Sequence, residues 1–275
     1  MRLFVEIADL RRALQALAPH VDAQDEMGIL NRIRGHATHE NLFLMATDRY
    51  TAAMAVVSLW DRDGLTGSIA DDALEFTAVD AKEILALFRP PKSKDEPDGD
   101  LLIETSVGSA DARQLVDVSG LFPGKALALP GSAIEARFPN VARIMARPAA
   151  PTRTVQSNMA FNGNHLKKFL AAGKAYGHEL VFQPVSETSR TMLVACGESF
   201  RGMITGVRWP EGESPDFEGW DMQWQMWATE VAAMGPELPH KEDAPAEAEP
   251  DWAAALQKWA EDIAQQDDPD PESEG

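Results

Sequence analysis

The feature that most limits what this chain can fold into is a recurrence. Residues 2–17 (RLFVEIADLRRALQAL), 74–88 (LEFTAVDAKEILALF) and 159–170 (MAFNGNHLKKFL) share one pattern, an apolar strand running directly into a helix. Helical spacing would bury Leu10, Ala13, Leu14 and Leu17 in the first, Ile84, Leu85 and Phe88 in the second, and Leu166, Phe169 and Leu170 in the third. Asp9, Asp80 and Asn164 fall near the helix starts, where a short polar side chain caps free N–H groups. Strand-like segments follow each helix: 28–36, 42–46 and 51–59; then 101–106 and 113–119; then 180–184, 190–196 and 200–207. A unit of strand, helix and strands cannot bury its apolar face alone, so the units must stack. The expected class is α+β, with repeated units, antiparallel sheets and the helices on one face.

The densest strand signal is residues 42–57 (LFLMATDRYTAAMAVV). Two apolar runs around the polar break Thr47-Asp48-Arg49-Tyr50 read as a tight hairpin. Asp favours such turns because its carboxylate bonds nearby backbone N–H groups. The break would leave Thr47, Arg49 and Tyr50 at a rim, available for contact.

Breaks in composition divide the chain. Residues 89–100 (RPPKSKDEPDGD) and 147–152 (RPAAPT) are loop and linker. The expected division is 1–146 with two units, 147–209 with the third, and an acidic, tryptophan-containing tail over 210–275. That tail holds 19 Asp and Glu against two Lys, so it carries −17 of the net −19 and leaves the body nearly neutral. Most of it should lack a core of its own. Two islands interrupt it, Trp220, Trp224 and Trp227 at helical spacing, and an amphipathic helix with Trp252, Leu256, Trp259 and Ile263.

Several function classes find no support. The single cysteine, Cys196, sits in an apolar run and suits a small buried hydrophobe in a reducing cytoplasm. The N-terminal stretch puts charges inside its apolar segment, unlike a signal peptide, and no run approaches the roughly 18 apolar residues of a membrane span. There is no Gly-x-Ser-x-Gly elbow, phosphate loop or dinucleotide fingerprint, so neither an enzyme nor a cofactor is expected. His36 and His39 read as a hairpin turn and not as metal ligands. The 61–63 and 71–72 acids read as solvated loop residues.

Basic residues recur off the apolar faces of the three helices: Arg11 and Arg12; Lys82, then Arg89, Lys92 and Lys94; Lys167, Lys168 and Lys174. Side by side they would form a strip able to hold a phosphate backbone without reading sequence. Surface helices carry such residues for solubility too, and on charge alone that plainer reading is favoured.

An apolar strand, then Ala46-Thr47-Asp48-Arg49-Tyr50, then a second apolar strand resembles the middle domain of bacterial DNA polymerase sliding clamps (the polymerase III β clamp). The resemblance continues in clamp order. Gly28-Ile29-Leu30-Asn31 resembles a strand opening that domain, the run from Ala136 to Ile144 its closing phenylalanine-proline segment, and 200–209 (FRGMITGVRW) the last clamp strand. The resemblance implies a processivity factor that holds double-stranded DNA independently of sequence. It also implies a shallow hydrophobic cleft that captures short peptides of the polymerase and other replication proteins. Carried over, Leu30, Thr47, Arg49 and Tyr50 form one wall of that cleft, Pro139, Arg143 and Ile144 its floor, and Met203, Thr205, Val207 and Arg208 the far wall. Taken singly, each apolar member reads as plain core, and only the recurrence of the matches in order favours the set. Family clamps have three domains of two units each, and three units here amount to one and a half, a reduced version of the kind expected from a phage. A homo-oligomer is implied; a trimer, a half-ring and a partner-completed ring all stay open. A clamp-like module that binds replication peptides without encircling DNA is the alternative. Gln223-Trp224-Gln225-Met226-Trp227 loosely resembles a clamp-binding peptide, but reads first as an ordinary amphipathic helix covering apolar surface of the body.

Overall fold

The computed structural model describes residues 1–26, 28–65, 73–90, 99–105, 113–129, 138–146, 159–186, 189–208, 222–223 and 225–227. Residues 1–210 form one compact unit and 211–275 another. In the second unit the described residues are helical, with Met222, Met226 and Trp227 exposed. Trp220, Trp224 and the 252–263 island lie outside the described residues, as do Asp71 and Asp72.

In the first unit, β1 (Arg2–Glu6) runs into α1 (Ile7–Leu17) and a 3-10 turn (Ala18–His20). Then come β2 (Arg32–Ala37), β3 (Asn41–Thr47), β4 (Thr51–Ser58) and β5 (Asp61–Asp63). The next strand–helix pair is β6 (Ala73–Thr77) and α2 (Ala78–Leu87), followed by β7 (Asp100–Thr105), β8 (Arg113–Asp117), β9 (Ala126–Leu129) and α3 (Val141–Ala146). Last are α4 (Gly163–Tyr176), β10 (Leu180–Pro184), β11 (Thr191–Cys196) and β12 (Phe200–Thr205).

The first two units trade their leading strands. β1 pairs with β7, and β6 pairs with β2, all antiparallel. The result is a five-stranded sheet, β5-β1-β7-β8-β9, and a seven-stranded sheet, β10-β11-β12-β4-β3-β2-β6. The third unit joins through β12, which pairs with β4, so the 42–57 hairpin is continuous with the last strands of the body. α1 lies over β3 and β4, with α2 and α4 packed on either side of it, and α4 covers β11 and β12. The core fills the space between: Leu10, Leu14 and Leu17 of α1 meet Leu42, Leu44, Phe76, Phe169 and Phe200. Gly202 makes the α4 seat possible, since a Cβ there would lie 2.4 Å from a Phe169 ring carbon.

Local chemistry departs from expectation at several points. Among the described residues no strand leads directly into α4; residues 159–162 are irregular, and Asn162, not Asn164, is the cap, accepting from the Asn164 N–H at 2.9 Å. The helix is also rotated: Phe169 and Ala172 are buried, while Leu166 and Leu170 are exposed, because Phe169 fills the space over Gly202. α1 has no side-chain cap; Asp9 instead accepts from the Ser58 N–H at 3.1 Å and binds α1 to the end of β4. Thr77 and Asp80 form a reciprocal capping box on α2. β2 starts at Arg32, after a bend in which Gly28 takes φ +67°. The exposed 61–63 acids form edge strand β5 instead of a loop, since pairing with β1 needs only backbone. β9 and α3 were not expected. Among the described residues no helix is long and apolar enough to cross a membrane, and no group of three or more His, Cys, Asp or Glu is placed to hold a metal.

Candidate functional site

The β3–β4 turn is held by more bonds than a turn needs. Arg49 takes φ +76°, a strained conformation for a residue with a side chain. Its guanidinium reaches Asp22 and Asp25, each at 3.0 Å, and Asp25 also accepts from the Leu30 N–H at 2.8 Å. The Asp48 carboxylate accepts from the Thr51 N–H at 2.6 Å, the Thr51 hydroxyl at 2.8 Å and the Tyr50 N–H at 3.1 Å. Its other oxygen receives the Lys168 ammonium of α4. Burial pushes the Asp48 carboxyl up, but the bonds from Lys168 and Thr51 together outweigh it and hold the group below the ordinary carboxylate value.

A second layer lies beneath. Because the Thr51 hydroxyl donates to Asp48, His20 Nδ1, 2.9 Å away, must carry the proton and donate to it. His20 is wholly buried, edge-on to Phe169, and among the described residues its Nε2 has no hydrogen-bond partner. Burial first, then the nearby Lys168 charge, lowers its pKa to about 3, against a smaller opposing pull from Asp48. Above the turn, the exposed Tyr50 ring stacks on His165 at 4.8 Å. The Thr205 N–H donates to the Tyr50 carbonyl at 3.1 Å, and Met203 pairs with Ala52. Leu30, Thr47, Arg49, Tyr50, Met203 and Thr205 thus gather at one end of three neighbouring strands. Leu30 and Thr47 are buried there. Val207 turns away, its N–H on the Ala160 carbonyl at 2.8 Å, and Arg208 beyond it is exposed.

The face of the seven-stranded sheet opposite α1 and α4 carries a groove. Val181, Ala195, Arg201 and Met54 lie across four strands in one register row, with Gln183, Leu193 and Met203 in the next. α3 packs over β3 and β4, and its Ala142 and Met145 close the groove to a cavity of about 320 Å³. Asn140 caps α3 by accepting from the Arg143 N–H at 2.8 Å. Pro139 is half-buried at the start of this segment, and Arg143 and Ile144 are exposed on α3. Polarizable methionines beside aliphatic residues suit an adaptable apolar site.

On the helix side the basic residues differ. Arg11 donates to the Leu85 and Phe88 carbonyls at the α2 C-terminus, and burial followed by the Arg89 charge lowers its pKa. Lys168 is engaged by Asp48, and Arg12 pairs with Asp9 at 3.5 Å. Lys82, Arg89, Lys167 and Lys174 are exposed, and among the described residues none has an ion pair. Lys92 and Lys94 lie outside the described residues.

No protein-family model and no curated protein sequence matches this chain. Solved structures do. The β subunit from the DNA polymerase of Streptococcus pyogenes aligns over 85% of this chain and 74% of its own, at a TM-score of 0.51 and 12% identity. The fold is that of a polymerase sliding clamp. A putative DNA polymerase III β subunit from Eubacterium rectale (TM-score 0.49, 12% identity) is covered over 65% of its length by 76% of this chain. The β subunit from Thermotoga maritima (TM-score 0.49, 10% identity) is covered over 66% by 79% of this chain.

Within this clamp fold the groove residues Met54, Met145, Val181, Leu193 and Arg201 were absent from the sequence reading. A signal for them exists. β11 (TMLVAC) is apolar at consecutive positions, which implies cover on both faces of its strand. Helices cover one face, and the groove is the other. Lys168, His20 and Asp48 acting together had no local signal, since Lys168 lies 120 residues from Asp48.

Proposed function

We propose that this protein is a non-enzymatic, sliding-clamp-like processivity factor. Its helix face would hold duplex DNA, and the groove on the sheet's other face, together with the β3–β4 turn at the strand ends, would capture short peptides of replication proteins. The observation that carries the reading is the two-sided build of one sheet. Exposed Lys82, Arg89, Lys167 and Lys174 belong to the helix layer, and opposite lies an apolar groove lined by Arg201, with Arg143 exposed on the α3 helix that closes it. Cations spread over neighbouring helices would contact phosphates without reading bases, so affinity should fall steeply with salt. In the groove, methionines and aliphatics would take apolar peptide side chains, and the arginines would bond peptide carbonyls or carboxylates.

The test is fluorescence anisotropy of a labelled duplex titrated with the full chain across a salt series. The reading expects sequence-independent binding at low salt, weakened by the Lys82→Glu, Lys167→Glu, Lys174→Glu triple variant. Retention on nicked circular DNA, lost on linearising it, would mark a closed ring. The second reading, a clamp-like module that binds peptides and never encircles DNA, draws on Arg11 and Lys168 being engaged inside the protein. It expects peptide binding with no DNA affinity even at the lowest salt.

A further inference from the structure

The first two repeats complete each other by reciprocal exchange, and the third is left with both halves of that exchange unused. β1, which leads into α1, pairs with β7 of the second repeat, and β6, which leads into α2, pairs with β2 of the first. Each leading strand has apolar residues one and three positions ahead of the residue that abuts its helix. These are Val5 and Leu3 before Glu6, and Phe76 and Leu74 before Thr77, and all four are fully buried. The segment leading into α4 repeats the spacing with Phe161 and Met159 before Asn162, yet both are only half-buried. Its backbone is already placed as a leading strand's. The Val207 N–H, two residues past β12, donates to the Ala160 carbonyl at 2.8 Å, as the Trp60 N–H, two residues past β4, donates to the Phe4 carbonyl at 3.2 Å. On its other side β1 meets β7, but among the described residues no strand pairs with 159–162. The acceptor edge is open too. The seven-stranded sheet is closed at one end by β6 on β2 and stops at the other in β10. Matching Val207 to Trp60 and counting back through the hairpin ladders puts Leu180 in the place of Ile33 and Phe182 in that of Gly35. Ile33 and Gly35 are covered by Phe76 and Leu74, whereas Phe182 is 40% exposed. α1 and α2 pack on each other, whereas α4 leaves Leu166 and Leu170 exposed.

We propose that two copies of this chain complete each other's third repeat by the same exchange, residues 159–162 of each adding antiparallel to β10 of the other. The interface is the one the chain already makes between its first two repeats, and it continues the same sheet at its open end. The register that pairs β6 with β2 sets Phe161 opposite Leu180, Ala160 opposite Val181 and Met159 opposite Phe182. Donor and acceptor belong to one repeat, so the contact is isologous and closes as a two-fold dimer without propagating. The two segments suit each other. MAFN and LVFQP carry no charge of the kind that guards a solvent-facing edge, and Pro184 lies past the residues to be paired. Met159 and Phe161 face the core, so the small Ala160 is the residue that arrives beside Val181 on the groove face. The exchange therefore lengthens the groove wall and leaves the groove open, and assembly does not compete with peptide capture. Two copies then hold three two-repeat domains, the middle one shared. The inference goes beyond the proposed function and does not depend on it.

Two measurements on the full chain test this. Light scattering across a concentration series should rise to twice the chain mass and stop there. Phe182→Lys, which puts a charge on a part-exposed edge strand, should return the chain to monomer. The second measurement fixes the register. Opposed residues of an antiparallel pair lie within disulfide reach, so Ala160→Cys with Val181→Cys should give a linked dimer on a non-reducing gel after mild oxidation. Wild type, with only the buried Cys196, should give none, and Ala160→Cys with Gln183→Cys, two residues out of register, should link far less. The cross-link decides the matter should Phe182→Lys fail to fold. A wild-type chain that stays monomeric at every concentration overturns the proposal. So does a dimer that the Ala160→Cys, Val181→Cys pair fails to link, since it must then form through another surface.

Discussion

At the scale of single residues, Asp48 and His20 hold the turn in place and set its response to acid. Asp48 is depressed below the ordinary carboxylate value, so its contribution is present above the unfolded pKa near 3.9 and is lost as pH falls through the folded value. His20, lowered to about 3, stays neutral in the folded protein, whereas the unfolded chain takes up a proton near pH 6.5. The unfolded state thus binds more protons between those values, and stability must fall as pH falls from about 6.5 towards 3. His20→Gln keeps a polar atom for the Thr51 hydroxyl and removes the proton uptake. Urea midpoints of this variant should change less between pH 7 and 4 than those of the wild type, with the difference worth on the order of a few kcal/mol. Lys168→Met should cost about 3 kcal/mol at pH 7, because it strands a buried carboxylate. It should also weaken peptide binding through a displaced Tyr50, even though Lys168 touches no peptide in the proposed mode. Wild-type stability in Lys168→Met would show the pair to be dispensable.

At the scale of elements, the sequence was legible where periodicity is strong and local. α1, α2 and the 42–57 hairpin lie where apolar spacing puts them, because each needs only its own residues to define a face. It was illegible where tertiary contacts choose. α4 turns Phe169 inward and leaves Leu166 and Leu170 outside because Gly202, on a distant strand, opens a seat for one ring. β9 (ALAL) escaped because four residues rich in alanine have little strand propensity and pair only because β8 offers an edge. α3 follows Asn140, whose side chain caps it, a start signal hidden in a stretch already read as a clamp-like segment. The groove followed from none of these singly; it exists because β12 pairs with β4 across units. Gly202→Val therefore tests the join. Its side chain would collide with Phe169, and repacking should cost about 1–3 kcal/mol. Thermal unfolding should record that loss, and peptide affinity should drop with it. Arg11→Met probes the other helix contact. It removes the cation bonded to the α2 C-terminal carbonyls and should lower stability by about 1.5–3 kcal/mol, measured by urea midpoint. Loss of DNA affinity at unchanged stability would instead return Arg11 to the surface strip.

At the scale of the whole molecule, the distribution of charge decides more than its sum. A net −19 argues against a nucleic-acid partner, yet residues 210–275 hold −17 of it and the remainder is close to neutral. The exposed cations of α2 and α4 can then attract phosphate at short range, while the acidic segment repels it over a distance set by salt. At about 0.01 M ionic strength the screening length is near 30 Å, and at 0.15 M near 8 Å, so the repulsion is felt chiefly in dilute salt. A chain ending at Arg208 should therefore bind duplex DNA more tightly than the full chain at low salt. The two should converge as salt rises, since the phosphate contacts themselves are the same. Anisotropy titrations of both proteins on one labelled duplex, plotted as log affinity against log salt, should give a steeper slope for the shortened chain. Parallel lines offset by a constant factor would mean that residues 209–275 act by occupying a site and not through their charge. Coincident lines would mean that the acidic segment plays no part in holding DNA.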